Sequence, residues 1–178
     1  MKPHFVRRTT DDMIEIRSEE PEDIEAIRDV NRRAFGQDQE GNIVDALRAN
    51  GGALYSLVAT KQGQIIGHIM YSPLRIGSVD GAALGPMAVV PEEQGHGIGT
   101  KLVEVGNDHL ARNGCPCIVV LGHPKFYPRF GFRPASAYGI TCEWEVPDDV
   151  FMVLALDDTQ MARAVGAAVY RPEFSTVE

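Results

Sequence analysis

The spacing of hydrophobic residues predicts two helices and three strands in the first half of the chain. Residues 22–35 and 42–49 carry apolar side chains at helical spacing, which is typical of helices with one buried face. Residues 13–17 alternate between apolar and polar, as a half-buried strand does. Residues 54–60 and 65–74 have the composition of strands and are separated by a short polar turn, so they predict a β-hairpin.

The second half begins with an apolar strand over residues 82–90 and a helix over residues 97–113. A continuous apolar run at residues 117–121 is typical of a buried strand. Residues 138–146 and 151–156 predict two further strands that pair across the turn between them. Helices and strands in this order predict an α/β (α+β) fold, with a mixed, mostly antiparallel central sheet flanked by helices.

The length of 178 residues is sufficient for one domain with a sizeable core, and neither a repeat nor a linker divides it. We expect residues 1–12 to form an N-terminal extension and residues 13–157 to form a single domain. Residues 158–178 form a C-terminal tail, where residues 165–170 predict an extra strand that could pair with a neighbouring molecule. Both a monomer and a homodimer are compatible with this pattern.

Composition and charge disfavour several classes of protein. The net charge of −8, without a compensating basic block, argues against a nucleic-acid partner. No apolar stretch approaches the ~20 residues of a membrane-spanning helix, and no signal peptide is apparent, so no membrane partner is expected. Cys115, Cys117 and Cys142 are expected to be reduced thiols of a cytoplasmic protein. No metal site is expected, because the chain has neither C-x-x-C nor H-E-x-x-H.

A glycine-rich turn, residues 94–100, joins the apolar strand at 82–90 to the helix that follows it. Glycines permit close approach of a ligand to the backbone, and the first amides of a helix have no acceptor within the helix. A turn of this kind between a strand and a helix is suited to hold a phosphate group. The alternative is that the glycines only allow a tight, well-packed turn.

Two common nucleotide-binding motifs do not fit this turn. A P-loop requires Gly-Lys-Ser/Thr, whereas the order here is Gly99-Thr100-Lys101. A dinucleotide fingerprint, G-x-G-x-x-G, would require a third glycine at Thr100 and an acidic residue near Val119 or Val120. A phosphate-bearing ligand of another kind is therefore predicted.

The strand before the turn is interrupted by Gly85-Pro86. Proline cannot donate to the hydrogen-bond ladder of a sheet, and glycine weakens the interior of a strand. We expect this strand to pair poorly with one neighbour and to leave backbone groups free for a ligand. An edge strand that tolerates Gly-Pro is the alternative.

Two motifs resemble those of the GCN5-related N-acetyltransferase (GNAT) family. Gln94-x-x-Gly97-x-Gly99 resembles the acetyl-CoA signature Q/R-x-x-G-x-G/A, and residues 126–132 resemble the later motif F-Y-x-x-x-G-F. From His123 the pattern H-P-x-x-Y-P-R-F-G-F is similar to that of the YhbS-like acyltransferases within this family. The motifs occur in the expected order, and the resemblance spans about residues 14–157.

This resemblance implies acetyl-CoA as the cosubstrate and a splayed pair of strands whose free edge takes the pantetheine arm. It places cosubstrate binding on ten residues of the strand and turn: Met87, Ala88, Val89, Gln94, Gly95, His96, Gly97, Ile98, Gly99 and Thr100. His96 and Ile98 would contribute only their backbone. Tyr127 would be catalytic, as the general acid that protonates the departing thiolate; a tyrosine that only fills the core is the alternative. Many family members carry an asparagine seven residues before this tyrosine, where the present chain has Val120.

The predicted function is an N-acetyltransferase that moves the acetyl group directly to a primary amine of a small molecule or a protein. A non-catalytic, regulatory acyl-CoA-binding module on the same fold is the alternative, and Tyr127 favours the enzyme. In the family the region between the first two helices helps to shape the acceptor site, so Glu40 would face either an amine or solvent. His68 is interpreted as a half-buried strand histidine, with a catalytic base as the alternative.

Overall fold

The computed structural model describes residues 13–175, so the predicted N-terminal extension at residues 1–12 lies outside the described residues. The strands are β1 (Ile14–Ser18), β2 (Tyr55–Lys61), β3 (Gln64–Ile76), β4 (Val79–Val89), β5 (Cys117–Leu121), β6 (Arg133–Pro134), β7 (Ile140–Thr141), β8 (Phe151–Ala155) and β9 (Gly166–Val169). The α-helices are α1 (Ile24–Phe35), α2 (Gln39–Ala49), α3 (Ile98–Arg112) and α4 (Asp158–Met161). Short 3-10 helices lie at Pro21–Asp23, Pro91–Glu93, Tyr127–Phe130, Ala135–Tyr138 and Pro172–Phe174.

A mixed sheet with the strand order β1-β2-β3-β4-β5-β8-β6 forms the centre of the molecule. Along this order only β4 and β5 run parallel, because the chain crosses from one to the other through α3. β9 lies off this path and pairs with the end of β3 and with β7. The predicted fold class, a mostly antiparallel sheet flanked by helices, is confirmed.

β4 separates from β5 partway along its length. The parallel pairing joins only residues 82–84 of β4 to residues 118–120 of β5. On its other side β4 stays paired with β3 as far as Val89, with a register shift beside Gly85-Pro86. The expectation that this strand pairs poorly with one neighbour is confirmed, and the backbone from Gly85 to Val89 has a free edge.

Helices cover both faces of the sheet. On one face α3 contributes Leu102 to a hydrophobic cluster that includes Tyr71 of β3. On the other face Ile27 of α1 and Leu47 of α2 pack in a cluster with Met70 of β3. Adjacent residues of a strand point to opposite faces, so Met70 and Tyr71 anchor the two layers. This packing holds the start of α3 beside the end of β4.

Two predicted elements differ from the structure. α2 begins at Gln39 rather than near residue 42, because the acidic segment before it already enters the helix after Asp38. The strand predicted over residues 138–146 was wrong except at Ile140–Thr141, and β8, its predicted partner, pairs with β5 and β6 instead. The physical reason is that the chain leaves the sheet after β7, so that Trp144 packs its ring 4.9 Å from that of Tyr170.

The extra strand predicted in the tail is confirmed as β9, but its partners belong to the same chain. β9 pairs with Arg75 and Ile76 of β3 on one side and with Ile140–Thr141 on the other. Its hydrogen bonds therefore need no neighbouring molecule.

His68 of β3 is fully buried, rather than half-buried as predicted. Its Nδ1 accepts a hydrogen bond from Asn31 Nδ2 at 3.3 Å, and its Nε2 lies 2.9 Å from Ser56 Oγ, to which it donates. The Ser56 hydroxyl donates in turn to Glu19, whose carboxylate also accepts from Arg48 Nε at 2.6 Å. This directional chain requires a neutral imidazole, because a protonated Nδ1 would face another donor at Asn31.

We expect the free energy of unfolding to decrease when the pH falls below about 6.5, because of His68. Burial lowers the pKa of His68 in the folded protein from its ordinary 6.5, so the unfolded chain binds this proton more readily. The stabilisation is present above about pH 6.5 and is lost below it, at up to about 1.4 kcal/mol per pH unit. Urea unfolding at several pH values between about 8 and about 5.5 measures this slope.

The control for this measurement uses a second histidine. His68→Gln should remove the slope, whereas His96→Gln changes an exposed ring and should retain it. Identical slopes for the native chain and His68→Gln would show that another group titrates in this range.

Candidate functional site

A cavity with a volume of about 980 Å³ opens along the free edge of β4. The end of β4, the glycine-rich turn and the start of α3 line one side of it. The end of β5 and the 3-10 helix that carries Tyr127 line another part, and the α1–α2 corner and the tail complete it. We refer to this cavity as the cleft.

The glycine-rich turn presents unpaired backbone amides to the cleft. Gly95 and Gly97 have φ angles of 77° and 81°, a left-handed conformation that glycine adopts without steric cost. The first amide at this helix start with a backbone acceptor is that of Lys101, which donates to the Gly97 carbonyl at 3.1 Å. The amides of the first helical turn before it, from Ile98 to Thr100, have no intrahelical acceptor. The turn can therefore hold an anion at the positive end of α3.

The register of β4 determines which amides face the cleft. The Val90 amide donates to the Ile66 carbonyl of β3 at 2.9 Å, so Val90 points toward β3. Backbone groups alternate in direction along a strand, so Ala88 also points toward β3, whereas Met87 and Val89 point toward the free edge. Of the three predicted strand residues, Met87 and Val89 are the ones with an amide directed into the cleft.

The side chain of Gln94 links the glycine-rich turn to the end of β4. Its side-chain Nε2 donates to the Val89 carbonyl at 2.9 Å. This contact occupies the one acceptor that Val89 presents to the free edge and leaves the Val89 amide available. The contact gives Gln94 a structural role in the turn.

Two ion pairs hold the acidic 3-10 helix that precedes the turn. Glu92 pairs with Arg33 of α1, and Glu93 pairs with Lys61 of β2, whose Nζ lies 2.9 Å from the carboxylate. Because both carboxylates have a cationic partner, their charges oppose an anion in the neighbouring turn less strongly.

Tyr127 lies in the wall of the cleft, with only 5% of its surface exposed. Its ring makes edge contacts with Phe126 and Phe132, at centroid distances of 5.0 and 5.6 Å. The ring also lies against Gly122, where an added Cβ would overlap it. Burial raises the pKa of Tyr127 to about 12, so the phenol is protonated at neutral pH. Its hydroxyl has no hydrogen-bond partner among residues 13–175 and remains available to a ligand.

The structure brings nearly all the predicted site residues together. Tyr127 and nine of the ten predicted cosubstrate residues line the cleft; the exception is His96. His96 is exposed and its Nδ1 lies 3.2 Å from the Glu93 carbonyl, as suits a residue that was expected to contribute only backbone. Glu40 and His123 also line the cleft, whereas His68 does not, so its position gives no support to a role as catalytic base.

Several residues of the cleft carry no assigned role in the sequence motifs. Arg129 places its Nη2 3.4 Å from Thr100 Oγ1 and its guanidinium 4.6 Å from the centre of the Phe126 ring, beside the start of α3. The sequence could have identified Arg129 as a site residue, because it lies inside the motif that begins at His123. Aromatic residues from the C-terminal part complete the wall, and no local pattern identified them: Trp144, Tyr170 and Phe174.

The described chain offers neither a metal site nor a membrane-spanning helix. Residues 13–175 contain no cluster of three or more His, Cys, Asp or Glu side chains suited to hold a metal ion. None of the helices in this range is both long enough and apolar enough to cross a membrane.

Comparisons with known proteins agree on one family. A family model described as an acetyltransferase (GNAT) domain matches residues 52–134. YhbS of Escherichia coli (strain K12), described as an uncharacterized N-acetyltransferase, is 34% identical over 163 residues, which are 90% of this chain and 98% of YhbS. The crystal structure of E. coli YhbS in complex with CoA matches with a TM-score of 0.87, over 91% of this chain and 92% of that one. A GNAT family acetyltransferase from Brucella melitensis in complex with acetyl-CoA is 36% identical, with a TM-score of 0.76 over 91% of this chain and 98% of that one.

Proposed function

The chain belongs to the GCN5-related N-acetyltransferase family, and we propose that it transfers the acetyl group of acetyl-CoA directly to a primary amine. Acetyl-CoA is its cosubstrate, in agreement with the CoA and acetyl-CoA complexes of the two similar structures. One observation carries the proposal of direct transfer. The unpaired amides of the turn, the free edge of β4 and the Tyr127 hydroxyl all belong to one cleft, so both substrates can meet there.

The turn is chemically suited to bind the phosphates of the cosubstrate. The amides between Gly95 and Thr100 would donate to the pyrophosphate, and the dipole of α3 would favour its charge. Open space surrounds Gly95 and Gly97, where an added Cβ would meet no atom within 4 Å. Arg129 is a cationic side chain beside this proposed pyrophosphate site, and it would add a charge-assisted contact with a phosphate.

The free edge of β4 would position the thioester. The amides of Met87 and Val89 point toward this edge, so either can donate to the carbonyl oxygen of the acetyl group. Negative charge develops on this oxygen when the amine attacks. A fixed donor there stabilises the tetrahedral intermediate without reorganisation of the backbone, because β3 holds the strand from its other side.

Tyr127 would complete the reaction as a proton donor. The amine nitrogen forms a bond to the acetyl carbon, and the carbon–sulfur bond then breaks with its electron pair moving to sulfur. The phenol donates its proton to this thiolate, and the acetylated nitrogen releases one proton to solvent, from which Tyr127 is reprotonated. No cysteine nucleophile enters this scheme, because the amine attacks the thioester itself.

The attacking amine must be neutral, and the cleft limits which residue can accept its proton. Among the described residues that line the cleft, the carboxylates are those of Glu40 and Glu93. Glu93 is paired with Lys61, so Glu40 is the better candidate to face the acceptor ammonium. The rate should rise with pH as the free amine population increases.

Transfer to an amine is tested by mixing the protein with acetyl-CoA and a panel of primary amines. We expect CoA release that depends on the amine, together with an acetylated product identified by mass spectrometry. Reactions without amine give the rate of thioester hydrolysis and serve as the baseline. Tight binding of acetyl-CoA without acetylation of any amine would instead favour a non-catalytic acyl-CoA-binding module.

A further inference from the structure

Three aromatic residues from the C-terminal part of the chain form a continuous part of the cleft wall. The rings of Trp144 and Tyr170 lie 4.9 Å apart with an interplanar angle of 59°. The rings of Tyr170 and Phe174 lie 5.3 Å apart at 76°, an edge-to-face contact. All three residues line the cleft, and all lie outside residues 52–134, the part that the family model matches. We call these three residues the aromatic wall.

Specific contacts fix the aromatic wall in place. The Tyr170 amide donates to Glu143 Oε1 at 2.5 Å, which ties the residue beside Trp144 to the segment after β9. Glu173 accepts from Arg171 Nη2 at 2.7 Å and from Asn50 Nδ2 at 3.1 Å, which ties the segment before Phe174 to the end of α2. These hydrogen bonds hold the segments that carry the aromatic wall, so its rings lose little conformational entropy when a ligand binds.

The hydroxyl of Tyr170 is buried and has no hydrogen-bond partner among residues 13–175. A buried polar group without a partner is costly, so a structure that retains one needs an explanation. Tyr170 also lines the cleft, so a bound ligand is a candidate acceptor for this hydroxyl.

The cleft also carries an acidic side chain. Glu40, at the start of α2, lines the cleft, and its carboxylate accepts from Gln37 Nε2 at 3.0 Å. The cationic Arg129 lies beside Thr100, at the start of α3. A cationic acceptor would therefore be drawn toward Glu40, and the anionic cosubstrate toward Arg129 and the turn.

From this combination we infer that the acceptor is a small arylalkylamine, a primary amine joined to an aromatic ring by a short alkyl chain. This inference rests on the proposed function and specifies the substrate class of the same cleft. The aromatic wall offers faces and edges to the ring of the acceptor, and Glu40 offers its charge to the ammonium group. Aromatic pairs gain affinity beyond their buried area, which a saturated ring of the same size does not obtain.

The experiment measures amine binding by calorimetry to the full chain saturated with CoA, so that no acetyl group is present and no turnover occurs. Phenethylamine, cyclohexylethylamine and spermidine serve as probes. We expect phenethylamine to bind about 3- to 10-fold more tightly than cyclohexylethylamine, and spermidine to bind weakly. Trp144→Ala should remove this preference, Trp144→Phe should retain part of it, and Glu40→Gln should weaken both ring-bearing amines equally.

A matched control and separate readouts distinguish the possible failures. Val105→Ala, at an exposed position of α3 outside the cleft, should leave all three affinities unchanged. Equal affinities for the two ring-bearing amines, or a preference for spermidine, would overturn the inference. A Trp144→Ala variant that is folded and keeps its preference would also overturn it. Acetyl transfer is assayed separately, so phenethylamine that binds but is never acetylated would argue against the proposed function and not against the binding site.

Discussion

Gly97→Glu should abolish measurable acetyl-CoA binding while the protein remains folded. Gly97 lies immediately before α3, and its Cβ position points into open space in the turn that is proposed to seat the pyrophosphate. A carboxylate there would place a negative charge against the phosphates, and like charges in contact cost several kcal/mol. We therefore expect the dissociation constant for acetyl-CoA to rise at least ~100-fold, as measured by calorimetry.

The control for this variant must separate charge from backbone strain. Gly97 has a φ angle of 81°, so any side chain there carries some strain. Gly97→Asn introduces an uncharged polar side chain one methylene shorter than that of glutamate, and asparagine tolerates the left-handed region better than most residues. We expect Gly97→Asn to bind acetyl-CoA more weakly than the native chain but far more tightly than Gly97→Glu. If a folded Gly97→Glu binds acetyl-CoA normally, the phosphates lie elsewhere and the turn has only a structural role.

The sequence was sufficient to predict the parts of the site that depend on local structure. The turn from Gln94 to Thr100 is contiguous, and a strand, a glycine turn and a helix in succession produce unpaired amides in any surroundings. The interruption at Gly85-Pro86 likewise acts locally, because it removes a donor from β4 itself. The pairing of β4 with β5 over only residues 82–84 follows from this local defect.

The parts of the site that depend on long-range register could not be predicted. The assignment of Met87 and Val89, rather than Ala88, to the free edge depends on the contact between Val90 and Ile66. The carboxamide of Gln94 meets the Val89 carbonyl only because the turn folds back on the strand. A sequence pattern gives the alternation of a strand but does not tell which side faces a neighbour.

The aromatic wall was even harder to predict from the sequence. Trp144 lies in a segment that was predicted to be a strand, and Tyr170 is the last residue of the predicted tail strand, for which pairing with a neighbouring molecule was considered. The two rings meet because β7 and β9 pair in parallel, which no periodicity in either short segment encodes. His68 is a similar case, since its full burial results from partners on α1 and β2 that are distant in sequence.

Tyr127→Phe should lower kcat for acetyl transfer about 100-fold or more while leaving acetyl-CoA affinity nearly unchanged, because general acid catalysis typically contributes 10²–10⁴-fold. The substitution removes only the hydroxyl, and the ring contacts with Phe126, Phe132 and Gly122 can persist. Steady-state kinetics with a reactive amine, together with calorimetry for acetyl-CoA, measure the two effects separately. Tyr55→Phe makes the same chemical change outside the cleft and should retain full activity.

The pH dependence provides a second test of the same assignment. Burial raises the pKa of Tyr127 to about 12, so its proton is present at all pH values below that and is lost only above it. The native rate should therefore rise with pH as the acceptor amine loses its proton, and should not decline below about pH 10 through loss of the Tyr127 proton. A decline that begins nearer neutrality and persists in Tyr127→Phe would indicate a different acid. If Tyr127→Phe instead keeps a kcat close to that of the native chain, Tyr127 serves to pack the wall of the cleft, and the thiolate leaves without a proton from the enzyme.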